Sequence, residues 1–131
     1  MKTKFTLITF MATTLIALAI TPVHAGKVII GNFNKQNAYA MRVTFTLLGE
    51  NTVLGCAPGG GNNANNIEDA VRAVSKIVVY KTDSCVNATP GNQTGPILKE
   101  YYVPKNLLTI NNSFGVQIEE NGSIEIKEYQ Y

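Results

Sequence analysis

The amino-acid sequence predicts a mostly β protein: a small antiparallel β-sandwich of the immunoglobulin-like type, closed by one disulfide. Between Tyr39 and Leu48, apolar residues alternate with polar or small ones, which is the period of a half-buried strand. Short β-branched runs elsewhere are separated by segments rich in glycine, proline and asparagine. The chain has two cysteines, Cys56 and Cys85, but no tryptophan of the kind antibody domains carry between their cysteines.

The first 25 residues predict a cleaved secretory signal peptide. Lys2 and Lys4 charge its start, an apolar run covers Phe5–Ile20, and small or compact residues precede a cleavage point after Ala25. An uncleaved anchor is the alternative, but this run of 16 residues is shorter than the roughly 20 that span a bilayer. We therefore expect export to the periplasm or beyond the cell, from a bacterial source.

Cleavage after Ala25 would leave a single domain, Gly26–Tyr131, of 106 residues. It removes His24, which is the only histidine in the chain. It also removes Lys2 and Lys4, so the eleven Lys and Arg residues fall to nine and equal the nine Asp and Glu residues. A neutral domain has no basic surface for nucleic acid or for anionic lipid, so neither partner is expected.

Catalysis, cofactors and metals are not expected either. Serine and cysteine nucleophiles usually need a histidine base, and the predicted mature chain has none. Zinc is bound by cysteine, histidine or carboxylate, and a zinc site is not expected in a mature chain without histidine whose two cysteines are expected to pair. No calcium-loop motif is present. The three consecutive glycines that start at Gly59 lack the Gly-Lys-Ser/Thr that completes a phosphate-binding loop.

A hairpin is predicted around Asn121-Gly122, and two registers are possible. A two-residue turn would pair Ile118 with Glu125 and place apolar side chains on opposite faces. A three-residue loop, Glu120–Gly122, would pair Ile118 with Ile124 and gather the apolar side chains on one face, which burial favours. The other candidate strands are Val28–Phe33, Tyr39–Leu48, Thr52–Cys56, Ile77–Tyr80, Ile97–Val103 and, after Pro104, Leu107–Ile110.

One segment favours a helix. Apolar residues at 67, 70, 71 and 74 have helical spacing, Asn66 could cap the start, and acidic residues follow in the first turn. We expect a short helix over residues 67–75. The alternative is one long strand from Val71 to Lys81.

Pairing of Cys56 with Cys85 would place two polar loops side by side, because each loop begins directly after one of these cysteines. The loops are Ala57–Asn66 and Val86–Pro96, and both are rich in turn-forming residues. Loops on a rigid scaffold commonly carry binding sites. The candidate binding residues are Asn62, Asn63, Asn65, Asn92, Gln93 and Thr94.

The sequence therefore predicts an exported, non-enzymatic binding module or effector. It would recognise a protein or glycan through these polar loops, as a monomer, with no membrane insertion after cleavage. One alternative is a subunit of a surface fibre that pairs through an edge strand, either Tyr39–Leu48 or the C-terminal strand ending at Tyr131. Another is a small secreted inhibitor of an enzyme.

Overall fold

A computed structural model describes residues 26–86, 88–91, 93 and 95–129. Two four-stranded sheets form a sandwich, with strand orders β4-β1-β7-β8 and β3-β2-β5-β6. The predicted fold class, a β-sandwich rich in antiparallel pairs with one disulfide, is confirmed. The signal-peptide prediction falls on residues 1–25, outside the described residues. The strands are β1 Gly26–Asn32, β2 Ala38–Thr46, β3 Asn51–Ala57, β4 Asn63–Asp69, β5 Ala73–Thr82, β6 Ile97–Tyr102, β7 Ser113–Ile118 and β8 Ile124–Glu128.

The connections between strands alternate between the two ends of the sandwich. Those that follow odd-numbered strands lie at one end, which we call the polar end: residues 33–37, 58–62, 83–96 and 119–123. Those that follow even-numbered strands lie at the other, which we call the apolar end: residues 47–50, 70–72 and 103–112. All neighbouring strands pair antiparallel except β1 and β7, which are parallel.

Side chains from both sheets meet in one core between them. The core reflects the alternation seen in the sequence: every second residue of β2 points inward. The buried members are Val28, Ile30, Tyr39, Met41, Val43, Phe45, Ala57, Ile67, Val74, Ile77, Val79, Phe114, Val116 and Ile118. Packing in this core fixes the two sheets against each other, so the connections at the two ends are held on a rigid scaffold.

The C-terminal hairpin has the register that burial favoured. Ile118 pairs with Ile124, and Val116 pairs with Ile126. The backbone N–H of Glu119 donates to the carbonyl of Ser123 at 2.8 Å, and Gly122 has a left-handed φ of +89°. The prediction of a three-residue loop is confirmed.

The predicted helix over residues 67–75 is wrong, because this segment contains the end of β4, a tight turn and the start of β5. Asp69 makes the turn: its Oδ1 accepts hydrogen bonds from the backbone N–H groups of Val71 at 3.0 Å and Arg72 at 3.1 Å. A side chain that binds nearby backbone N–H groups competes with helix formation. The alternative, one long strand from Val71 to Lys81, is closer to the structure, since β5 is a long strand, but β5 begins at Ala73.

Two further expectations need correction. The segment Leu107–Ile110 is not a strand: a 3-10 turn covers Lys105–Leu107. The Tyr39–Leu48 strand cannot serve as a sheet edge, because β2 pairs with β3 on one side and β5 on the other. Its last two residues also leave the strand and form a turn.

Candidate functional site

The disulfide joins two connections at the polar end, as predicted. Cys56 and Cys85 are bonded, with their Cα atoms 5.6 Å apart. Cys56 lies near the end of β3, and Cys85 lies in the connection after β5, a strand of the same sheet. The bond therefore ties the long β5–β6 connection to β3, across the intervening strand β2, and does not link the two sheets.

The predicted binding residues are only partly in loops. Asn63 and Asn65 belong to β4, which corrects the loop prediction for residues 63–66. Their side-chain amides donate to backbone carbonyls, Asn63 to Gly59 at 3.0 Å and Asn65 to Cys56 at 3.2 Å. An asparagine-rich segment is a poor strand former, and it is held here by seven-residue pairing with the buried β1.

Two of the remaining predicted residues, Asn62 and Gln93, are described by the structure. Asn62 is exposed and has a left-handed φ of 61°, which asparagine tolerates. Gln93 is exposed, and its side-chain amide donates to the carbonyl of Gly95 at 2.8 Å. Asn92 and Thr94 lie outside the described residues.

A buried asparagine organises the polar end. Asn32 is fully buried, and its side-chain Nδ2 lies within hydrogen-bonding distance of three carbonyls, those of Asn37 at 2.9 Å, Ala57 at 3.1 Å and Pro58 at 3.1 Å. Its Oδ1 accepts from the backbone N–H of Asn34 at 2.9 Å. One side chain thus satisfies backbone groups of the β1–β2 and β3–β4 connections together.

Asn34 continues this network to the C-terminal hairpin. Its Oδ1 accepts from the backbone N–H groups of Gln36 at 2.9 Å and Asn37 at 2.8 Å. Its Nδ2 donates to the carbonyl of Glu120 at 3.0 Å, across 86 residues of sequence. The β1–β2 connection is therefore fastened to the hairpin turn by side-chain amides.

A groove of about 680 Å³ lies between these fastened segments. Four separate parts of the chain line it: the β1–β2 connection, the end of β5, the start of β6 and the hairpin turn. The lining residues are Asn34, Lys35, Gln36, Asn37, Tyr39, Lys81, Pro96, Leu98, Glu120, Asn121 and Gly122. Four of the six binding residues predicted from the sequence are described by the structure, namely Asn62, Asn63, Asn65 and Gln93, and these four do not line it.

Two cations and an amide in this groove are available to a ligand. The exposed side chains of Lys35, Gln36 and Lys81 have no hydrogen bond or ion pair within the described part of the chain. Lys81 is held at the groove because the next segment packs directly on its backbone: a Cβ on Gly95 would collide with the Lys81 carbonyl. The groove can therefore offer hydrogen-bond donors and positive charge without first breaking internal contacts.

One signal in the sequence points to this site. Residues 34–37, Asn-Lys-Gln-Asn, form an uninterrupted polar run between two predicted strands. Such a run marks a solvent-facing connection on a rigid scaffold. The partners of this connection, Lys81 and the hairpin turn, are far away in sequence and could be placed only by the fold.

Among the described residues, no three histidine, cysteine, aspartate or glutamate side chains are grouped so that they could hold a metal ion. The described part of the chain also lacks any helix with the length and apolar character needed to cross a bilayer.

No protein-family model and no curated protein sequence matches this chain. Three solved structures show a distant likeness. An NMR structure of a protein from Eubacterium rectale is 17% identical with a TM-score of 0.43, and the match covers 86% of this chain and 96% of that one. The human-specific toxin intermedilysin is 10% identical with a TM-score of 0.35, over 85% of this chain and 24% of the toxin. A structure described as a trapped toxin is 11% identical with a TM-score of 0.33, over 82% of this chain and 24% of that one.

Proposed function

We propose that this protein is an exported, non-enzymatic binding module that recognises a glycan or protein partner at its polar end. The single observation that carries the proposal is the groove of about 680 Å³, whose walls come from four segments of the chain. Ligand sites typically enclose about 300–1,000 Å³ and contain a few well-placed polar groups. The buried amides of Asn32 and Asn34 support it further, because they fix the walls before a ligand arrives.

The chemistry of the groove favours an oligosaccharide that carries a carboxylate. Two lysines of the lining, Lys35 and Lys81, outnumber its one carboxylate, Glu120, and leave an excess of positive charge. Gln36 supplies a side-chain amide able to donate to and accept from hydroxyl groups. A charge-assisted hydrogen bond is about twice as strong as a neutral one, so an acidic sugar would gain most from the two lysines. An acidic peptide segment would satisfy the same lysines and is the protein form of the proposal.

Export is part of the proposal. The Cys56–Cys85 disulfide supports it, because disulfides persist in oxidising compartments outside the cytoplasm. We expect cleavage after Ala25, giving a mature chain that starts at Gly26. Intact-mass analysis of protein recovered from the periplasm or medium checks this, and a mass that includes residues 1–25 would contradict it.

A glycan array with matched variants tests the binding function. Wild type and the variants K35A, K81A and K105A are applied to acidic and neutral oligosaccharides. Lys105 is an exposed lysine at the apolar end and serves as the control. We expect wild type and K105A to bind acidic sugars equally, and K35A and K81A to bind them about tenfold more weakly. The proposal would be overturned if K105A lost as much binding as K35A and K81A, or if the wild type bound no sugar and no acidic peptide.

One observation favours the fibre-subunit alternative: β8 is an edge strand that pairs only with β7. An open edge can accept a strand from a neighbouring molecule. Of the other three edge strands, β3, β4 and β6, β6 fits less well, because Pro96 and Pro104 flank it and it carries Lys99 and Glu100. A purified protein that stays monomeric at high concentration in size-exclusion chromatography would reject the alternative.

A further inference from the structure

The β2–β3 turn at the apolar end has an unusual backbone. Leu47, Leu48 and Gly49 all have left-handed φ angles, of 70°, 68° and 92°. Glycine adopts this conformation freely, but a leucine side chain is disfavoured there because its Cβ crowds the backbone. The turn is nevertheless fixed at its base, where Phe45 pairs with Asn51. Strain of this kind persists where the surrounding structure holds it, and it clusters at functional sites.

The strained turn displays its leucines to solvent. Leu48 is 77% exposed and Leu47 is 42% exposed. Two other connections at the same end add Val71 and Ile110, which are each 51% exposed. Half-buried Leu107 and Leu108 lie beside Ile110 in sequence. Three separate connections therefore place aliphatic side chains at one end of the molecule.

Charge at this end cancels. Arg72 is paired with Asp69, with Nη1 and Oδ2 3.2 Å apart. The remaining charged residues on these connections are Glu50 and Lys105, one of each sign. A ligand that docked here would gain from apolar burial and not from net charge.

The size of this surface decides what could cover it. A stable protein interface needs about 20–30 residues on each side, far more than these six aliphatic side chains provide. A lipid surface needs no complementary area, since each inserted side chain gains independently from leaving water. We propose that the apolar end inserts shallowly into the interfacial layer of a neutral, zwitterionic phospholipid membrane, led by Leu47 and Leu48.

This proposal is independent of the groove and of its ligand. The sequence-based expectation is no membrane insertion after cleavage, and the proposal departs from it by inserting turns at one end. This insertion is shallow and does not require a strand to span the bilayer. The proposal keeps the other part of that expectation, because attraction to anionic lipid is not required.

Single-tryptophan variants test the proposal, because the chain has no tryptophan of its own. L48W places the probe on the strained turn, and L98W places the same probe on an exposed β6 leucine beside the groove. Both are made in protein that starts at Gly26, which retains every core side chain named above and excludes the apolar run of residues 5–20. A cooperative thermal transition of each variant is checked first.

We expect L48W fluorescence to shift to shorter wavelength with phosphatidylcholine vesicles and to be quenched by brominated lipid, and L98W fluorescence to do neither. We also expect L47N/L48N to lower vesicle co-sedimentation at least about tenfold without loss of folding. Binding should be equal at low and high salt. Equal responses of L48W and L98W, retained binding of L47N/L48N, loss of binding in salt, or absence of binding would overturn the proposal.

Discussion

The strand connections at the two ends of the sandwich differ in their chemistry. At the polar end, Asn32 and Asn34 donate to and accept from backbone groups of neighbouring connections. The exposed side chains of the β1–β2 connection and of the hairpin turn are polar, although Val86 in the β5–β6 connection is 89% exposed. At the apolar end, Leu47 and Leu48 stay exposed on a strained backbone. The apolar end is not disordered by this, since Asn112 there bonds both the N–H and the carbonyl of Val74 at 2.9 Å.

The comparison of the two ends distinguishes side chains that stabilise the fold from exposed side chains that do not. Amides that satisfy buried backbone groups stabilise the polar end, so its surface can be altered without affecting the network beneath. Exposed leucines in the left-handed region cost folding free energy. A feature that costs stability and remains exposed is a candidate for function.

The largest effect is expected from removing the disulfide. The bond closes a loop with a sequence separation of 29, so C56S/C85S should lose about 3–4 kcal/mol of unfolding free energy. Urea denaturation measures the loss, and reduced wild type should match the variant. Hydrogen exchange should rise at residues 58–62 of the polar end and stay unchanged at 47–50. Equal stability of the variant and oxidised wild type would contradict this assignment.

Removing the Asn32 side chain should produce the next largest loss. N32A leaves the buried carbonyl of Ala57 and the N–H of Asn34 without their partner, which should cost about 2–3 kcal/mol. Asn66, an exposed asparagine on β4, is the matched control, and N66A should change stability by less than about 0.5 kcal/mol. Similar losses in the two variants would mean that Asn32 does not organise the polar end.

Replacing the strained leucines should raise the free energy of unfolding, whereas the two changes above lower it. Asparagine tolerates the left-handed region, so L47N and L48N should each raise the unfolding free energy by about 1 kcal/mol. Thermal and urea unfolding measure the gain. L98N is the control, because Leu98 lies in a β-strand, and it should show no gain. Destabilisation by L47N and L48N would show that the leucines are structural.

The smallest effect is expected from Asp69 and depends on pH. Burial alone would raise the pKa of Asp69, but hydrogen bonds from the N–H of Val71 and from Asn51 and Arg72, with the Arg72 charge, hold it below 3.8. The carboxylate therefore stabilises the fold above that pH, and the contribution is lost as the pH falls through the folded-state pKa. D69N should be less stable at neutral pH and should lose less stability on acidification than wild type.

Exposed Asp83 provides the matched control for this variant. The D83N profile of unfolding free energy against pH should follow that of wild type. A D69N profile that also overlays wild type in acid would show that the Asp69 turn does not contribute to acid sensitivity.

Sequence reasoning succeeded where pairing partners are close in the chain. The register of Ile118 with Ile124 follows from a choice between two turns, and burial selects between them locally. It failed at Ile67, because the strand that pairs with this segment is β1, about forty residues earlier. An asparagine-rich strand has no local propensity to reveal it.

Sequence reasoning predicted the Cys56–Cys85 bond but not the residues that line the groove. Pairing of the cysteines correctly brought two connections to one end of the sandwich. The groove itself is formed by Lys35, Lys81 and the hairpin turn, which the fold brings together from separate strands. Composition had drawn attention to the asparagine-rich loops, whereas the asparagines at 63 and 65 bond their own neighbouring backbone.

Amide chemical-shift mapping with glucuronate, the simplest acidic sugar, tests the central claim most directly. The claim is that the polar-end groove binds an acidic group while the apolar end does not. We predict saturable shifts at residues 34–37, at Lys81 and at residues 120–122, with none at residues 47–50 or 70–72, and weaker binding by K81A than by K105A. Shifts at the apolar end, or equal binding by the two variants, would contradict the account.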